Sequence, residues 1–540
     1  MKGKQKCQKK FIRLSFAVLL GSTLVLQSGG GESFLTYAAE LKKTESITQD
    51  EAIRAAKKWV EISDDHKLVR AQLLGEYNDY HDQPLWKLAW SNKKGSSFIA
   101  YIDASTGILL SYGSTSGVTN AQVSEEVALE KAKQFMQRAI DGKELEKLSE
   151  PNEFKHLLSS SLYQSSKHVF TFTRIENGIP FIENGFELIV TPSGEIEKFY
   201  RDWDEGELPA VKPVISEKEA EALFLERVTP ALINMELSPI TRLDTDKGQY
   251  RLVYGYRDTD PQFVDALSGA VINETGKPPA EKRLQTLGKT FPTEDVAKTR
   301  LGTQQEAQIL AEKYMSHFPG VYRVESNGMS LDNWSFTVIS LDKSVKKKNP
   351  IKLLLKANGE IMEYLAEGSD DVPVKAEGIP YALAEVRAIK LVKTLYGNRL
   401  GEIYVMEPLT YQKDTKHMIE MGGYYKVKFG WMNDGVPIEN AYMEVFVNIM
   451  TGEAEYLSSY GNSKPLHVNQ LGAGIVAPEV ARKAELENKR WMLTYYRPKY
   501  FPEYYRIMLV YRLVGESGVV DAHTGKWLSF LELQKEQEKP

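Results

Sequence analysis

The stretch "VDAHTG" at residues 520–525 has a close counterpart in "IDASTG" at residues 102–107. An aspartate, three residues and a glycine fit either part of a calcium loop or a turn between two strands. Four more copies decide between them: "VTPSG" at 190–194, "VDALSG" at 264–269, "LKANG" at 355–359 and "VNIMTG" at 447–452. Each follows an apolar strand-like segment and is soon followed by another apolar residue. Glycine at the end of a short polar loop supplies the positive φ of a hairpin turn. The chain therefore carries six hairpins, not six metal loops.

Upstream of most hairpins lies a helix start. "ITQDEA" (47–52), "VSEEVA" (123–128), "ISEKEA" (215–220) and "LGTQQEA" (301–307) place Thr48, Ser124, Ser216 and Thr303 as N-caps. Glu51, Glu219 and Glu306 stand three residues later and complete capping boxes. Two further starts, "YALAEV" (381–386) and "VAPEVA" (476–481), lack the capping hydroxyl. The spacing of Ala52, Ala55, Ala56, Trp59 and Val60 is helical. Between cap and hairpin the pattern changes to period two, with Trp86, Leu88 and Trp90 alternating in one copy and Trp334, Phe336 and Val338 in another. Each unit reads as a helix followed by three or four antiparallel strands, an α+β module with the helix on one face of the sheet.

The modules form two homologous halves. Thr48 and Thr303 are 255 residues apart, and the glycine pairs 107/359, 194/452 and 269/525 are separated by 252, 258 and 256. "ENGIPFIEN" at 176–184 answers "NDGVPIEN" at 433–440, and "YRLVYGYR" at 250–257 answers "YRIMLVYR" at 505–512 with both Tyr-Arg pairs in register. The division expected is 41–118, 119–209 and 210–277 for modules 1–3, a linker at 278–300, then 301–373, 374–465 and 466–530 for modules 4–6, with a tail at 531–540. A complete three-module set on each side of the linker predicts that the halves 41–277 and 301–530 fold independently.

At 540 residues the chain is too long for one core, and 42% hydrophobic with 26% charged residues is ordinary globular composition. A net charge of −5 argues against a nucleic-acid partner. Residues 1–38 are of another kind: six basic residues, an apolar run at 14–26, and small residues Thr36 and Ala38 before "AE". The succession predicts a signal peptide cut after Ala38, and so a secreted or surface-exposed protein; a retained N-terminal anchor is the other reading. Cleavage takes the net charge to −10 and removes Cys7, the single cysteine, leaving neither a disulfide nor a thiol nucleophile.

The order "[IV]-[ST]-x-x-E-A", strands, then a closing hairpin resembles PepSY-type modules. The longer modules, with "ENGIP…TPSGEI" at 176–196 and "NDGVP…IMTGEA" at 433–454, resemble the YcdB/YcdC repeated-domain family of Gram-positive bacteria. The resemblance implies secreted or surface proteins of cystatin-like α+β modules, and for PepSY modules it implies propeptide-like inhibition or regulation of peptidases. It brings no catalytic residues.

The sequence carries no recognisable catalytic constellation. The eight histidines include no i, i+4 pair and no H-E-x-x-H. No G-x-S-x-G elbow occurs, and the S-x-x-K strings at Ser91, Ser340 and Ser344 lie in lysine-rich turns. "DTDKG" at 244–248 and the four carboxylates of "RDWDEGE" at 201–207 read as a turn and a solvated linker. No catalytic, cofactor or metal residue is therefore assigned. Lys343, Lys346, Lys347 and Lys348 form a compact basic patch, read as a solvated loop or as a contact for anionic wall polymer or lipid head groups. Tyr250, Tyr254 and Tyr256 alternate and either pack one face or line a peptide-binding sheet face. Two functions follow as expectations. One is a non-enzymatic binding or regulatory protein of the cell envelope that engages an extracellular protein or peptide, such as a peptidase. The other is an envelope hydrolase using a carboxylate pair hidden among 73 acids.

Overall fold

The helix starts open helices where the caps place them. In this computed structural model, which describes residues 46–60, 62, 64–75, 84–93, 95–115, 122–154, 167–236, 250–256, 261–278, 284–289, 301–330, 333–341, 350–366, 378–406, 418, 423–461, 474–498 and 506–530, the chain is α+β. Helix α1 (Gln49–Trp59) begins at the Thr48/Glu51 capping box and α2 (Glu125–Ala139) at Ser124. A single turn, α3 (Gly142–Leu145), follows, and α4 (Glu217–Arg227) and α5 (Gln304–Met315) open with the Ser216/Glu219 and Thr303/Glu306 boxes. The two uncapped starts become α6 (Tyr381–Leu395) after Pro380 and α7 (Pro478–Asn488) after Ala477, where a proline at the first position presets φ. The segment 1–38, the sequence 244–248, the lysines at 343 and 346–348 and the tail 531–540 lie outside the described residues.

The strands of the first half are β1 (Lys67–Leu74), β2 (Leu85–Ser91), β3 (Ser97–Asp103), β4 (Leu109–Thr115), β5 (His168–Glu176), β6 (Ile179–Val190), β7 (Ile196–Asp202), β8 (Ala231–Glu236), β9 (Tyr250–Gly255), β10 (Phe263–Asp265) and β11 (Val271–Ile272). Those of the second are β12 (Tyr322–Ser330), β13 (Asn333–Ser340), β14 (Ile351–Lys356), β15 (Ile361–Ala366), β16 (Ile403–Val405), β17 (Tyr424–Asn433), β18 (Val436–Asn448), β19 (Ala454–Tyr460), β20 (Lys489–Tyr496), β21 (Met508–Gly515), β22 (Gly518–Asp521) and β23 (Trp527–Ser529). Pairing is antiparallel within each hairpin.

One contact explains why helix start and hairpin recur together. The backbone amide ahead of each helix but the single turn α3 donates to the residue that follows the first position of its hairpin turn. The bonds are Ile47 to Ala104 at 2.7 Å, Val123 to Pro192 at 2.7 Å, Val214 to Ala266 at 2.8 Å, Leu301 to Ala357 at 2.6 Å, Ile379 to Ile449 at 2.8 Å and Val476 to Ala522 at 2.9 Å. The apolar residue at the helix entrance then packs on the hairpin glycine, as Ile47 does on Gly107 and Val476 on Gly525. The two motifs are therefore the two sides of one clasp.

The sheets cross the halves. One runs β1-β2-β3-β4-β7-β6-β20-β21-β10-β11, and the other β12-β13-β14-β15-β19-β18-β8-β9-β22-β23. Hairpin β8-β9, from the first half, thus completes the sheet of the second, and β20-β21 from the second half completes the sheet of the first. Each sheet crosses the seam by one parallel pair, Phe181 with Tyr495 and Ile438 with Asn234. The exchange is buried: Phe224, Val264, Trp491, Tyr495, Leu509 and Tyr511 share one core, while Leu252, Tyr254, Ala481, Val520 and Ala522 share another. The described residues from Ser46 onward accordingly form one compact unit.

Two expectations change. The halves 41–277 and 301–530 do not each close on themselves, because strands of 210–277 and 466–530 are divided between both sheets. The register of the last modules also moves by two. Val264 faces Tyr511 and Val520 faces Tyr254, so Tyr254 and Tyr511 are the equivalent pair, not Tyr256 and Tyr511. A shift of two preserves which side chains face inward, so the aligned pattern looked right in the wrong register.

Candidate binding site

Two of the chain's crossings between the sheets are short, from Gly255 to Phe263 and from Gly515 to Gly518. Beside these crossings lies a cavity of about 290 Å³. Its walls are mostly apolar and aromatic, with Phe224, Tyr254, Tyr256, Phe263, Val519 and Trp527 drawn from both halves. The edge of Phe224 meets the Tyr256 ring at 6.0 Å, a packing that fixes the tyrosine in the wall.

Four charged side chains also reach the cavity, Glu439, Glu485, Lys489 and Arg512. Glu485 on α7 is only 7% exposed and accepts from the Tyr256 hydroxyl at 2.6 Å and from Lys489 Nζ at 2.7 Å. Lys489 lies 5.3 Å from the Trp527 ring, and the Arg512 guanidinium sits 5.0 Å over Phe263 while pairing with Glu183. The indole Nε1 of Trp527 is buried and has no hydrogen-bond partner among the described residues. The arrangement offers an apolar slot with charged side chains beside it, which suits an apolar side chain.

The tyrosines singled out in the sequence divide. Tyr254 and Tyr256 line the cavity, while Tyr250 is buried in the large core of the second sheet. The sequence marks Arg512 only within a repeated Tyr-Arg pair and does not mark Glu485 or Trp527, because the cavity is assembled from segments of both halves.

The turn aspartates have local work. Asp103 Oδ1 accepts from the amides of Ser105 at 2.9 Å and Thr106 at 2.6 Å and from both hydroxyls. Asp265 and Asp521 accept in the same way from the two amides that follow in their turns. In the linker "RDWDEGE", Arg497 reaches Asp202 at 3.2 Å and Asp204 at 3.4 Å, and Arg201 pairs with Glu144 at 2.5 Å. These carboxylates are tied to arginines. Among the described residues no group of three or more histidines, cysteines or acids could hold a metal ion.

Of the carboxylates that titrate away from their ordinary range, Glu455 and Glu176 do so in opposite senses. Burial pushes Glu455 up, against the opposing effect of the Tyr424 hydroxyl that donates to it at 2.6 Å. Burial also opposes ionisation of Glu176, but Lys147 and Arg174, each at 2.7 Å, hold it below the usual range. A second, open depression of about 630 Å³ is lined by Arg251, Asp521, His523 and Lys526. His66 is engaged structurally, against Asp65 at 2.9 Å and the Phe98 ring.

The outer edges of the sheets are β1 and β12, and each carries a β-bulge, at Leu68/Arg70 and Ser326/Gly328. Bulges and charges such as Arg70 and Arg323 blunt an edge against indiscriminate pairing. The seam cavity is the better-formed surface. No helix among the described residues is long and apolar enough to cross a membrane.

Comparison with known proteins places part of the chain. No curated protein matches. Among solved structures, the Bacillus megaterium YpeB C-terminal domain is similar at 16% identity and a TM-score of 0.26, over 42% of this chain and 95% of that one. Residues 49–203, from α1 through β7, match the family model of the YcdB, YcdC repeated domain.

Proposed function

We propose that this protein is a secreted or cell-surface binding protein, without catalytic activity, that takes an extended segment of an extracellular polypeptide. The aromatic-walled cavity at the seam carries the proposal. A volume of about 290 Å³ accommodates one large apolar side chain, which would pack against aromatic walls that include the Trp527 ring. A module that resembles peptidase propeptides makes an extracellular peptidase the first partner to test. Export rests on the basic, apolar and small-residue succession of residues 1–38.

The test incubates the purified protein with the secreted peptidases of the producing cells and with peptides bearing one aromatic or aliphatic residue. Inhibition or binding that weakens at least tenfold in Trp527→Ala supports the reading. Turnover of wall glycan by the pure protein, abolished by replacing one carboxylate, would replace it with the hydrolase.

A further inference from the structure

We propose that the exchanged hairpins form an interface that a second copy of this chain fits, so that the protein can also assemble as a strand-exchanged dimer. In each of the two composite modules, the helix and the closing hairpin come from one half and the middle hairpin from the other. Helix α4 and β10-β11 receive β20-β21; helix α7 and β22-β23 receive β8-β9.

In module 1 the corresponding strand is supplied locally, and Ala104 donates to Pro84 at 3.0 Å. At the seam the same bond is made across halves, from Ala266 to Leu509 at 2.8 Å and from Ala522 to Leu252 at 3.0 Å. The tyrosine bonds repeat the reciprocity, Tyr254 to Val476 and Tyr511 to Ile215. Both seats are therefore built alike, and each half is donor and acceptor at once.

What joins the halves covalently is the linker alone. It leaves the first sheet after the turn at 273–277, which Tyr496 holds through the Glu274 carbonyl, and docks on the second at Thr286, which pairs with Tyr404. The span from Lys277 to Thr286 reaches about 30 Å when extended. This tether favours pairing within one chain at low concentration, by holding the halves at roughly millimolar effective concentration. Between two chains every bond of the seam can form again unchanged, the first half of each seated on the second half of the other. Two reciprocal seats close the assembly at two copies, since a twofold arrangement satisfies all four hairpins and leaves none to recruit a third chain. The hairpin side chains Leu252, Val253, Val510 and Tyr495 are at most 1% exposed. Neither form converts to the other without opening a core, so the choice is made during folding.

The experiment uses the full chain with a specific protease site inserted after Lys289. The protein is unfolded, refolded at increasing concentration, and sized by light scattering. Expected is a dimer fraction that rises with concentration and persists on dilution. Cleaving the linker in the isolated dimer should halve its mass, because in a strand-exchanged dimer only the linkers join the two pairs of halves. Cleaving the monomer should leave its mass unchanged, with both fragments retained until denaturant is added. Refolding a mixture of donor- and acceptor-labelled chains without the inserted site should give energy transfer in the dimer fraction. Monomer alone at every concentration, or a dimer whose mass survives cleavage, overturns the exchange between copies. Fragments that part when the monomer is cleaved overturn the seam itself.

Discussion

The Tyr254 hydroxyl donates to the Val476 carbonyl at 2.7 Å across 222 residues of chain. Its counterpart Tyr511 donates to Ile215 at 3.2 Å. Val476 and Ile215 are the apolar residues at the entrances of α7 and α4, so each tyrosine ties a borrowed hairpin to the clasp that receives it. The bond joins a side chain from one half to a helix entrance from the other.

Tyr254→Phe and Tyr511→Phe each delete one such bond while keeping the ring. Each should lower stability by about 1 kcal/mol. Because the cores are shared, the whole molecule should still unfold in a single denaturant transition, shifted to lower midpoint. Two separated transitions with only one displaced would show that the halves melt apart.

Gly525 tests the clasp from the hairpin side. Its φ is +67°, and an added methyl would approach Val480 Cγ1 at 2.8 Å. Gly95 has a similar φ of +84° but open space around it. Gly525→Ala should therefore cost more than Gly95→Ala, which pays only the roughly 1 kcal/mol of backbone strain. Asp521→Asn keeps the accepting oxygen and should change little. Thermal melts of the three variants decide the order.

Stability should respond to pH with opposite signs at two carboxylates. The folded-state pKa of Glu455 is raised by burial, so its contribution is complete below the ordinary carboxylate range and is lost as pH rises through the raised value. Glu455→Gln should match the parent in acid and exceed it at neutral pH. Glu176 is held down by Lys147 and Arg174, so its contribution is present above the ordinary range and disappears as pH falls through the lowered value. Glu176→Gln should be weaker than the parent at neutral pH and equal to it in strong acid. Urea midpoints across this range measure both.

At the cavity, Glu485 holds Tyr256 and Lys489 together. Glu485→Ala should destabilise by about 2 kcal/mol, since it leaves a partly buried lysine without its carboxylate. Adding Lys489→Met should restore much of that loss. If the double variant is no more stable than the single, the carboxylate matters for packing and not for charge.

The features that can be read along the chain are local. Thr48, Ser216 and Thr303 cap helices whose first amides need an acceptor within three residues, and the hairpin glycines adopt a φ that other residues avoid. Such features are complete within a few residues, so the helix starts and the hairpins were legible. Tyr254 and Tyr256 could likewise be marked by their alternation. Only the tertiary structure decided which hairpin fills which module. Duplication supplied two nearly equivalent seats, and strand pairing is non-local, so β8-β9 carries no mark that distinguishes its own module from the partner module. The same ambiguity hid the two-residue shift that sets Tyr254 against Tyr511. It also hid the cavity, whose walls run from Phe224 to Trp527 and exist only because the chain crosses between sheets. Local chemistry writes the parts, and burial of the shared cores selects their assembly.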